Sequence, residues 1–355
     1  MFKQILWITG VFILLISTLA HSKIVFTSTR DGILEIYVMN DDGSRIQRLT
    51  HNKLGEHNPV WSPDGEMIAF TRNLSPVFQD PQLDIFIMDA DGRNQRNLTQ
   101  HPARDDDATW SPDGRHIAFT SSRSGRNEIY TINIFSGKIK QLTHHKDNNA
   151  FGIKGIIVMG FPVDGFAYEP CWSPDGKYIV YNQYGIGQVG SINIIDVKTK
   201  QKKQLIQKIP HLSERHPRWS PDGKYILYHE ENSKDAFANV DLNKPLFILD
   251  IIRLTTDRLV IVDVDGIEQP KLAIPEEWLV GSKTSWSPDS KEFVFSATPQ
   301  RGVSSSDIFR YNLATHEIVN LTNRLKSDDN PNWLNRTLSV TPAGKIATQW
   351  GQIKK

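Results

Sequence analysis

The chain has 355 residues, with 41 lysines and arginines against 40 aspartates and glutamates and a formal net charge of +1. Acidic and basic residues are interspersed and no basic stripe is present, so the sequence gives no electrostatic case for nucleic-acid binding. Its single cysteine, Cys171, excludes an internal disulfide and a cysteine-based zinc cluster.

The first 22 residues differ in composition from the rest of the chain. Lys3 is followed by an uncharged apolar run over 5–20 and then by Lys23. A short positive start, an apolar stretch and small residues before the first strand are typical of an export signal. The alternative is a retained transmembrane anchor, because the 19 uncharged residues between the two lysines nearly suffice to span a bilayer. We expect a cleaved signal over 1–22 and a periplasmic or otherwise extracytoplasmic protein, which contacts the membrane only through this segment if it stays uncleaved.

Three strand-like runs follow the signal, over 24–27, 35–39 and 45–50. Asp-Gly pairs at 31–32 and 42–43 separate them, as expected of β-hairpins. Residues 58–61 then lead into the turn sequence Trp-Ser-Pro-Asp-Gly, which an apolar strand follows. The rest of the chain repeats this order, so each unit is predicted to have four short antiparallel strands and no helix.

The turn sequence recurs along the chain, complete at four places, with serine replacing the glycine at a fifth and only the lead-in preserved at a sixth. The six tryptophans are Trp61, Trp110, Trp172, Trp219, Trp286 and Trp333. Repetition at a period of about 47 residues is typical of a propeller or a solenoid. The composition suits a type I turn, which favours serine first, proline second and glycine fourth.

The number of repeats predicts the fold. Strands two to four of the unit occur six times, starting at Ile24, and the tryptophan-bearing first strand also occurs six times, ending at Trp333. If the last strand pairs with the first residues after the signal, one blade is built from both termini and the ring closes without exposed edges. We therefore predict an all-β, six-bladed β-propeller of four-stranded antiparallel blades over 23–335, closed by pairing of the N- and C-terminal strands and followed by a C-terminal tail over 336–355.

Two insertions, at 144–168 and 230–257, interrupt the period. The first contains an apolar, glycine-containing stretch over 151–161, and the second contains a run over 246–252 that suits an extra strand. Long insertions in compact repeats are often functional, but hairpins packed on their own blades would explain them equally well. Glycines over 185–190 match the dinucleotide fingerprint, but a strand follows them where this fingerprint needs a helix, so we expect a hairpin loop and no nucleotide.

The repeat resembles that of the TolB-type β-propeller family. Trp-Ser-Pro-Asp-Gly-Lys with Ile-Ala-Phe, Ile-Tyr-x-Met-Asp-x-Asp-Gly and Leu-Thr covers about 24–333, and the marks of standard WD and kelch repeats are missing. The resemblance implies a periplasmic propeller that binds partner proteins of the envelope at its funnel. TolB carries an α/β domain before the propeller, which we expect this chain to lack because strands begin directly after the signal. The repeat is also similar to that of the prolyl oligopeptidase propellers, but no Gly-x-Ser-x-Gly nucleophile elbow occurs.

The residues before each tryptophan form the candidate binding site. In a propeller the first strand of each blade lines the central channel, so these segments should gather around one channel mouth. The candidates are Glu56, His57, Asp105, Asp106, Tyr168, Glu169, Glu214, Arg215, Asp328 and Asp329. A mostly acidic rim of this kind would bind a basic peptide, a partner's loop or a cation such as calcium. Alternatively, these short polar groups satisfy backbone groups where the strand begins.

No recognisable catalytic motif accompanies this rim. The histidines lack a metal-binding spacing such as His-Glu-x-x-His, and Cys171 occupies a position that accepts many residue types in the other repeats. We therefore predict a monomeric, non-enzymatic module without a cofactor that binds an envelope protein or peptide. The alternative is a propeller that binds a small ligand or acts on a carbohydrate or peptide in its channel. A channel carboxyl with a strongly raised pKa would favour chemistry, and unperturbed carboxyls would favour binding.

Overall fold

The structure, a computed structural model, describes residues 22–76, 82–145, 157–158, 161–162, 166–184, 190–206, 212–232, 256–299, 305–323 and 326–335. The regular elements in these ranges are β-strands, and no helix among them has the length and apolarity needed to cross a membrane. Four stretches singled out above lie outside the described residues: 5–20, 185–189, 246–252 and 336–355. The insertion at 144–168 is described in part and contains a two-stranded hairpin of Ile157–Val158 and Phe161–Pro162.

Six antiparallel sheets, here called blades 1 to 6, form a ring. From the channel outward, blade 1 consists of Asp328–Trp333, Lys23–Ser28, Glu35–Asn40 and Gln47–Arg48. Blade 2 consists of Glu56–Trp61, Met67–Asn73, Leu83–Asp89 and Arg96–Asn97. Blade 3 consists of Asp105–Trp110, His116–Ser121, Glu128–Asn133 and Ile139–Gln141.

The second half of the ring has the same strand order. Blade 4 consists of Phe166–Trp172, Tyr178–Tyr184, Gly190–Asp196 and Lys202–Gln204. Blade 5 consists of Leu212–Trp219, Tyr225–Asn232 and Thr256–Asp263. Blade 6 consists of Leu279–Trp286, Glu292–Thr298, Asp307–Asn312 and Ile318–Asn320.

Blade 1 joins the two ends of the propeller. Its innermost strand pairs antiparallel with Lys23–Ser28, with Ile24 opposite Trp333 and Ser28 opposite Asp328. The innermost strands contact one another in blade order, and that of blade 6 contacts that of blade 1. The predicted six-bladed propeller and its closure by the N- and C-terminal strands are therefore confirmed.

The hydrophobic core lies between adjacent blades. Between blades 1 and 6, for example, Ile24 and Phe26 pack with Val294 and Ile308, and all four side chains are fully buried. Because strand side chains alternate between the two faces of a sheet, each blade presents an apolar face to both neighbours. Full burial of one such side chain contributes about 2 kcal/mol, so the ring depends on many contacts of this kind.

The Trp-Ser-Pro-Asp-Gly phrase forms the predicted tight turn. In blade 2 the backbone N–H of Gly65 donates to the carbonyl of Ser62 at 2.9 Å, and the Ser62 hydroxyl donates to Asp64 at 2.6 Å. The same hydroxyl accepts from the backbone N–H of Met67, which starts the next strand. Gly65 has φ 72°, a conformation that favours glycine, and Ser290 adopts φ 59° at the equivalent position of blade 6.

The Leu-Thr phrase holds the outermost part of a blade against its third strand. In blade 1 the backbone N–H of Leu49 donates to the carbonyl of Ile36 at 2.8 Å. The Thr50 hydroxyl accepts from the N–H of Ile36 at 3.0 Å and donates to the buried carboxylate of Glu35 at 2.6 Å. The backbone N–H groups of Ile85, Ile129 and Ile308 donate in the same way to the threonine hydroxyls of their own blades. This phrase therefore satisfies the outward-facing backbone of the third strand.

Blade 5 departs from this pattern. Five blades have the predicted four strands, whereas the described part of blade 5 has three, and a single bridge between Val262 and Glu268 stands for the fourth. The backbone N–H of Gln269 also donates to the carbonyl of Ile261 at 2.8 Å, and Pro270 follows it in sequence. Ala273 occupies the place of the threonine, and its N–H donates instead to the hydroxyl of Tyr311 in blade 6 at 3.0 Å.

Candidate functional site

The innermost strands all run in one direction along the channel, so its two ends differ. The strands begin at the end that we call the polar end, which the Glu56 and Asp105 segments mark. They finish at the tryptophan end, where the six tryptophans line one cavity. Both long insertions join the propeller at the polar end. The first precedes the innermost strand of blade 4, and the second follows the second strand of blade 5, which ends beside the start of that blade's innermost strand.

A bulge interrupts each innermost strand three residues before its tryptophan. In five blades this residue has a left-handed backbone, with φ between 52° and 58°: Asn58, Asp107, Glu169, His216 and Asn330. The pairing register shifts around it in each of these blades. In blade 6 the register shifts around the same position, which Lys283 occupies. A bulge re-aims a side chain, and these bulges bring side chains from different blades together.

Lys283 spans the channel to reach Asp107. Blades 6 and 3 are opposite members of the ring, and the Lys283 Nζ lies 2.6 Å from Oδ1 of Asp107. The two side chains are only 12% and 13% exposed. A buried ion pair is favourable when further hydrogen bonds satisfy its oxygens, and Asn58 Nδ2 donates to the same Asp107 oxygen at 3.2 Å.

Asp106 is held by donors from its own blade and from blade 2. Its Oδ1 accepts from Asn58 Nδ2 and from the Thr71 hydroxyl, both at 2.9 Å. His57 Nε2 lies 3.4 Å from the same oxygen, and Arg104 donates to Oδ2 at 3.2 Å. Burial alone would raise the pKa of this carboxyl, but the neighbouring positive charges, that of His57 first, outweigh burial and hold the pKa well below its ordinary value.

Glu169 of blade 4 is bound by His216 of blade 5. The backbone N–H of His216 donates to Oε2 at 2.6 Å, and His216 Nε2 lies 2.9 Å from Oε1. Burial opposes ionisation of Glu169, but the charge of His216, its hydrogen bonds and the more distant charge of Lys283 lower the pKa of this carboxyl to about 2. Burial also lowers the pKa of His216, so at neutral pH the carboxylate of Glu169 depends on the nearby nitrogens of His216, at 2.6 and 2.9 Å, rather than on a positive charge there.

Two sets of contacting side chains lie close enough for the charge of Lys283 to act on Glu169, and together we call them the channel cluster: Asn58, Asp106, Asp107 and Lys283, with Glu169 and His216. Its contacts connect blade 2 with blade 3, blade 3 with blade 6, and blade 4 with blade 5. Of the predicted candidates, the cluster contains Asp106 and Glu169, with His57 beside Asp106. Asn58, Asp107 and His216 lie in the predicted segments before the tryptophans but were not chosen as site residues, and Lys283 lies outside those segments. Alignment of the third residue before each tryptophan would have found all four.

The acidic residues at the start of the innermost strands lie elsewhere. Glu56, Asp105, Glu214 and Asp328 are fully buried and do not form an open rim. Asp105 is paired with Arg123 at 2.8 Å and Asp328 with Arg30 at 2.9 Å, and Glu56 is paired with Arg72. Burial raises the pKa of Glu56 and of Asp105 despite these arginines.

The same arginines also pack on aromatic rings of their blades. Arg123 lies 5.1 Å from the ring centre of Tyr130, and Arg72 lies 4.3 Å from that of Phe86. Each carboxylate–arginine–aromatic set fastens the second and third strands to the start of the innermost strand. This geometry favours a local structural role for these candidates, through arginine side chains rather than through the backbone groups of the alternative explanation.

The remaining candidates lie around the cluster. Tyr168 is half-buried, with its ring 6.0 Å from that of Phe166, and burial raises its pKa. Arg215 is 40% exposed and pairs with Glu231 at 2.8 Å. Asp329 accepts from the Ser306 hydroxyl at 2.8 Å, and burial raises the pKa of its carboxyl.

In the described part of the chain, no three histidine, cysteine, aspartate or glutamate side chains lie close enough together to hold a metal ion. The acidic residues of the channel cluster are instead bonded to the Lys283 ammonium, to amide and hydroxyl donors and to histidines. A channel cation such as calcium stays a prediction.

The tryptophan end contains a cavity of about 300 Å³. The indole N–H of Trp110 donates to the carbonyl of Val60 in the preceding blade at 3.3 Å, and that of Trp286 donates to the carbonyl of Arg218 at 3.1 Å. These two tryptophans therefore connect neighbouring blades, whereas the other four indole N–H groups have no partner among the described residues. Cys171 also lines this cavity, and because burial raises the pKa of its thiol, it is a poor nucleophile.

Known proteins share both the repeat and the ring. A family model described as the TolB β-propeller domain matches residues 74–243. The Tol-Pal system protein TolB of Desulfosudis oleivorans is 45% identical over 51 residues, which cover 14% of this chain and 12% of that protein. The uncharacterized peptidase YuxL of Bacillus subtilis is 25% identical over 160 residues, which cover 45% of this chain and 20% of that protein.

A solved structure agrees over most of the chain. The crystal structure of TolB from Acinetobacter baumannii matches with a TM-score of 0.62 and 18% sequence identity, covering 88% of this chain and 66% of that one. The match thus spans about two thirds of that structure and much smaller parts of the two curated relatives. The tryptophan-bearing repeat, the six-bladed ring closed by both termini and these matches lead to one conclusion: the chain is a TolB-like β-propeller.

Proposed function

We propose that this protein is an exported binding module of the cell envelope that recognises a partner protein or peptide at the polar end of its channel. The observation that carries the proposal is the charge state of the channel cluster. Asp106 and Glu169 are held ionised by partners from neighbouring blades, and Asp107 is paired with Lys283. Fixed charges on a rigid ring suit recognition of a charged partner better than proton transfer.

Two further observations support the envelope role. The apolar run over 5–20 is typical of an export signal. The relative in Desulfosudis oleivorans is named as a protein of the Tol-Pal system. Neither insertion bordering the polar end is needed to close the ring, and insertions in compact repeats are often functional.

The test compares charge reversals at the two ends of the channel. Arg104 and Arg215 lie at the polar end and are 52% and 40% exposed. Lys177 and Lys224 follow the turns at the tryptophan end and are 70% and 72% exposed. All four would be changed to glutamate in pairs, so that the change in net charge is the same. Urea unfolding of both variants would show any loss of stability from the Arg104 change, which removes a donor to Asp106.

Cross-linking in envelope extract, followed by quantitative mass spectrometry, is the measurement. We expect Arg104→Glu with Arg215→Glu to change the capture of specific partners by about tenfold or more, because the charges at an interface control association. Lys177→Glu with Lys224→Glu should capture them as the wild type does. Equal capture by both variants, or no reproducible partner of the wild type, would contradict the proposal.

An enzymatic role in the channel is the second candidate, and Asp329 is the residue that would carry it. Its pKa is raised by burial, as a general acid requires, and its closest donor is the Ser306 hydroxyl. Turnover of an oligosaccharide or peptide panel that is lost on Asp329→Asn would favour this candidate. Absence of turnover at every pH tested would count against it.

A further inference from the structure

The outer edge of the third strand of blade 5 is bonded at Ile261, whose carbonyl accepts from the N–H of Gln269, but among the described residues its own blade makes no such bond at Leu259. Leu259 stands opposite His229, as Ile36 stands opposite Thr27 in blade 1. The backbone N–H and C=O of Ile36 face outward, where Thr50 and Leu49 bind them. The outward-facing N–H and C=O of Leu259 therefore correspond to the two backbone groups of Ile36 that are hydrogen-bonded in blade 1.

The segment that should bind Leu259 is displaced towards blade 6. Leucines in the five other blades donate a backbone N–H to this position of the third strand at 2.8–2.9 Å: Leu49, Leu98, Leu142, Leu205 and Leu321. Among the described residues, Leu272 makes no such bond to Leu259. Ala273 cannot supply the threonine hydroxyl, and its own N–H is held by Tyr311 of blade 6.

A cavity of about 250 Å³ lies where the missing strand would run. Leu259, Leu272, Ile274 and Val280 form its apolar part. Leu259, Leu272 and Val280 are buried, and they belong to the core between blades 5 and 6. The volume is sufficient for an aliphatic side chain projecting from an added strand, and the apolar lining suits such a side chain.

The charges around this cavity favour a basic occupant. Three carboxylates and two cations line the cavity: Glu230, Asp257, Glu276, Arg258 and Lys271. A further carboxylate, that of Glu268, lies beside it through its ion pair with Arg258. Arg258 binds both Glu230 and Glu268, and Lys271 binds Glu276. The acidic groups thus outnumber the basic ones at an edge that also offers backbone hydrogen bonds.

We propose that the outer edge of the third strand of blade 5 is a docking site for an extended basic peptide segment of a partner protein. The segment pairs with the backbone of Leu259 as an added strand and places an aliphatic side chain in the cavity beside Leu272. Flanking lysine or arginine side chains face the carboxylates around the cavity. Main-chain bonds supply affinity in this mode of binding, and the side-chain cavity supplies selectivity. The site is separate from the channel, so it does not depend on the function proposed above.

The first experiment measures hydrogen exchange of single backbone amides in the full-length protein. We expect the Leu259 amide to exchange faster than that of Ile36, by about tenfold or more, because only Ile36 donates to a threonine hydroxyl. Equal protection of the two amides would show that another part of the chain already covers the edge, and it would overturn the proposal.

The second experiment uses a fluorescein-labelled, amidated heptapeptide of sequence Thr-Lys-Thr-Leu-Thr-Lys-Thr as the probe. A matched peptide is methylated on the backbone nitrogens of the leucine and of the next residue, so that it lacks a donor whichever edge faces the protein. Fluorescence anisotropy should show binding of the first peptide and about tenfold weaker binding of the second, because the methyl groups remove hydrogen bonds without changing the charge. Failure of the first peptide to bind at millimolar protein, or equal binding of both peptides, would overturn the proposal.

Variants at exposed acidic residues locate the peptide. Glu268→Lys with Glu276→Lys should weaken peptide binding by about tenfold, because it reverses the charge beside the cavity. The control, Asp91→Lys with Glu317→Lys, makes the same charge change at exposed positions of blades 2 and 6 and should leave binding unchanged. An equal loss in both variants would indicate a general charge effect and would contradict docking at blade 5.

Discussion

Lys283 and Asp107 form an ion pair across the centre of the propeller, with 2.6 Å between Nζ and Oδ1 and 176 residues between them in sequence. Because the two residues belong to opposite blades, the pair bridges the channel rather than bordering it. It also connects the two halves of a ring whose other contacts are mainly between neighbouring blades. The pair therefore links two opposite blades through their side chains.

Replacing Lys283 with methionine should destabilise the protein by about 3 kcal/mol, because it leaves the nearly buried carboxylate of Asp107 without its cation. Urea unfolding would measure the loss. Lys177→Met, which removes a lysine that is 70% exposed and paired with Asp175 at the surface, is the matched control and should change stability by less than about 1 kcal/mol. Adding Asp107→Asn to Lys283→Met should restore part of the loss, and an additive double variant would contradict a direct interaction.

The fold could be predicted from the sequence because its signals are local and repeated. Each turn phrase contains its own hydrogen-bond partners, as Ser62, Asp64 and Met67 show within five residues. Counting the phrases then gives the number of blades. Closure of the ring could also be predicted by counting strands. The strand at Ile24 has no first strand before it in its blade, and the strand at Trp333 supplies one.

The site could be predicted only in part, because its partners are distant in sequence. Asp328 looks like an exposed acidic residue until Arg30, from the other end of the chain, is placed beside it. Lys283 is preceded by glycine and serine and breaks the acidic pattern, so it does not stand out in the sequence. Sequence spacing cannot show which carboxylates a folded ring will neutralise.

Gly92 should be far less tolerant of alanine than Gly125, although both have nearly the same backbone conformation, with φ 88° and 89°. A methyl group at Gly92 would meet the carbonyl oxygen of Leu49 in the preceding blade at 2.5 Å, whereas nothing lies within 4 Å at Gly125. We expect Gly125→Ala to destabilise by about 1 kcal/mol, from the left-handed backbone alone. Gly92→Ala should lose about 2 kcal/mol more, because the blades must separate to admit the methyl group. Urea unfolding of both variants would test this, and equal losses would contradict close packing of the two blades at Gly92.

Calcium should leave the melting temperature of the wild type unchanged and raise that of Lys283→Met. Calcium binds through six to eight oxygen ligands, and in the wild type the carboxylates of Asp106 and Asp107 are engaged by N–H, hydroxyl and ammonium donors. Removing the ammonium leaves negative charge that a cation can compensate, and a ligand of the folded state raises its stability. Thermal unfolding with calcium or with EDTA is the measurement. An equal shift in both proteins would instead place calcium at another site.

His229 should make the stability of the protein fall as the solution is acidified below about pH 6.5. The side chain is 5% exposed, its ring nitrogens have no hydrogen-bond partner in the described residues, and the nearest carboxylate oxygen, of Asp257, is 3.9 Å away. Burial, and then the positive charges of His216 and Arg215, lower its pKa from 6.5 to about 3. Between these two values the unfolded state binds a proton that the folded state does not, so the free energy of unfolding decreases as pH falls.

The expected contribution of His229 is a loss of about 2 kcal/mol between pH 6.5 and about pH 5, since each pKa unit corresponds to about 1.4 kcal/mol. Urea unfolding across this range would measure it. His229→Leu removes the titrating group and should flatten the pH dependence by that amount, whatever its effect on stability at pH 7. His101→Gln, at a half-buried loop position of blade 3, should leave the slope unchanged. If His229→Leu kept the wild-type slope, the ring of His229 would have to be accessible to protons in the folded protein, and the interior of blade 5 would be more open than its packing indicates.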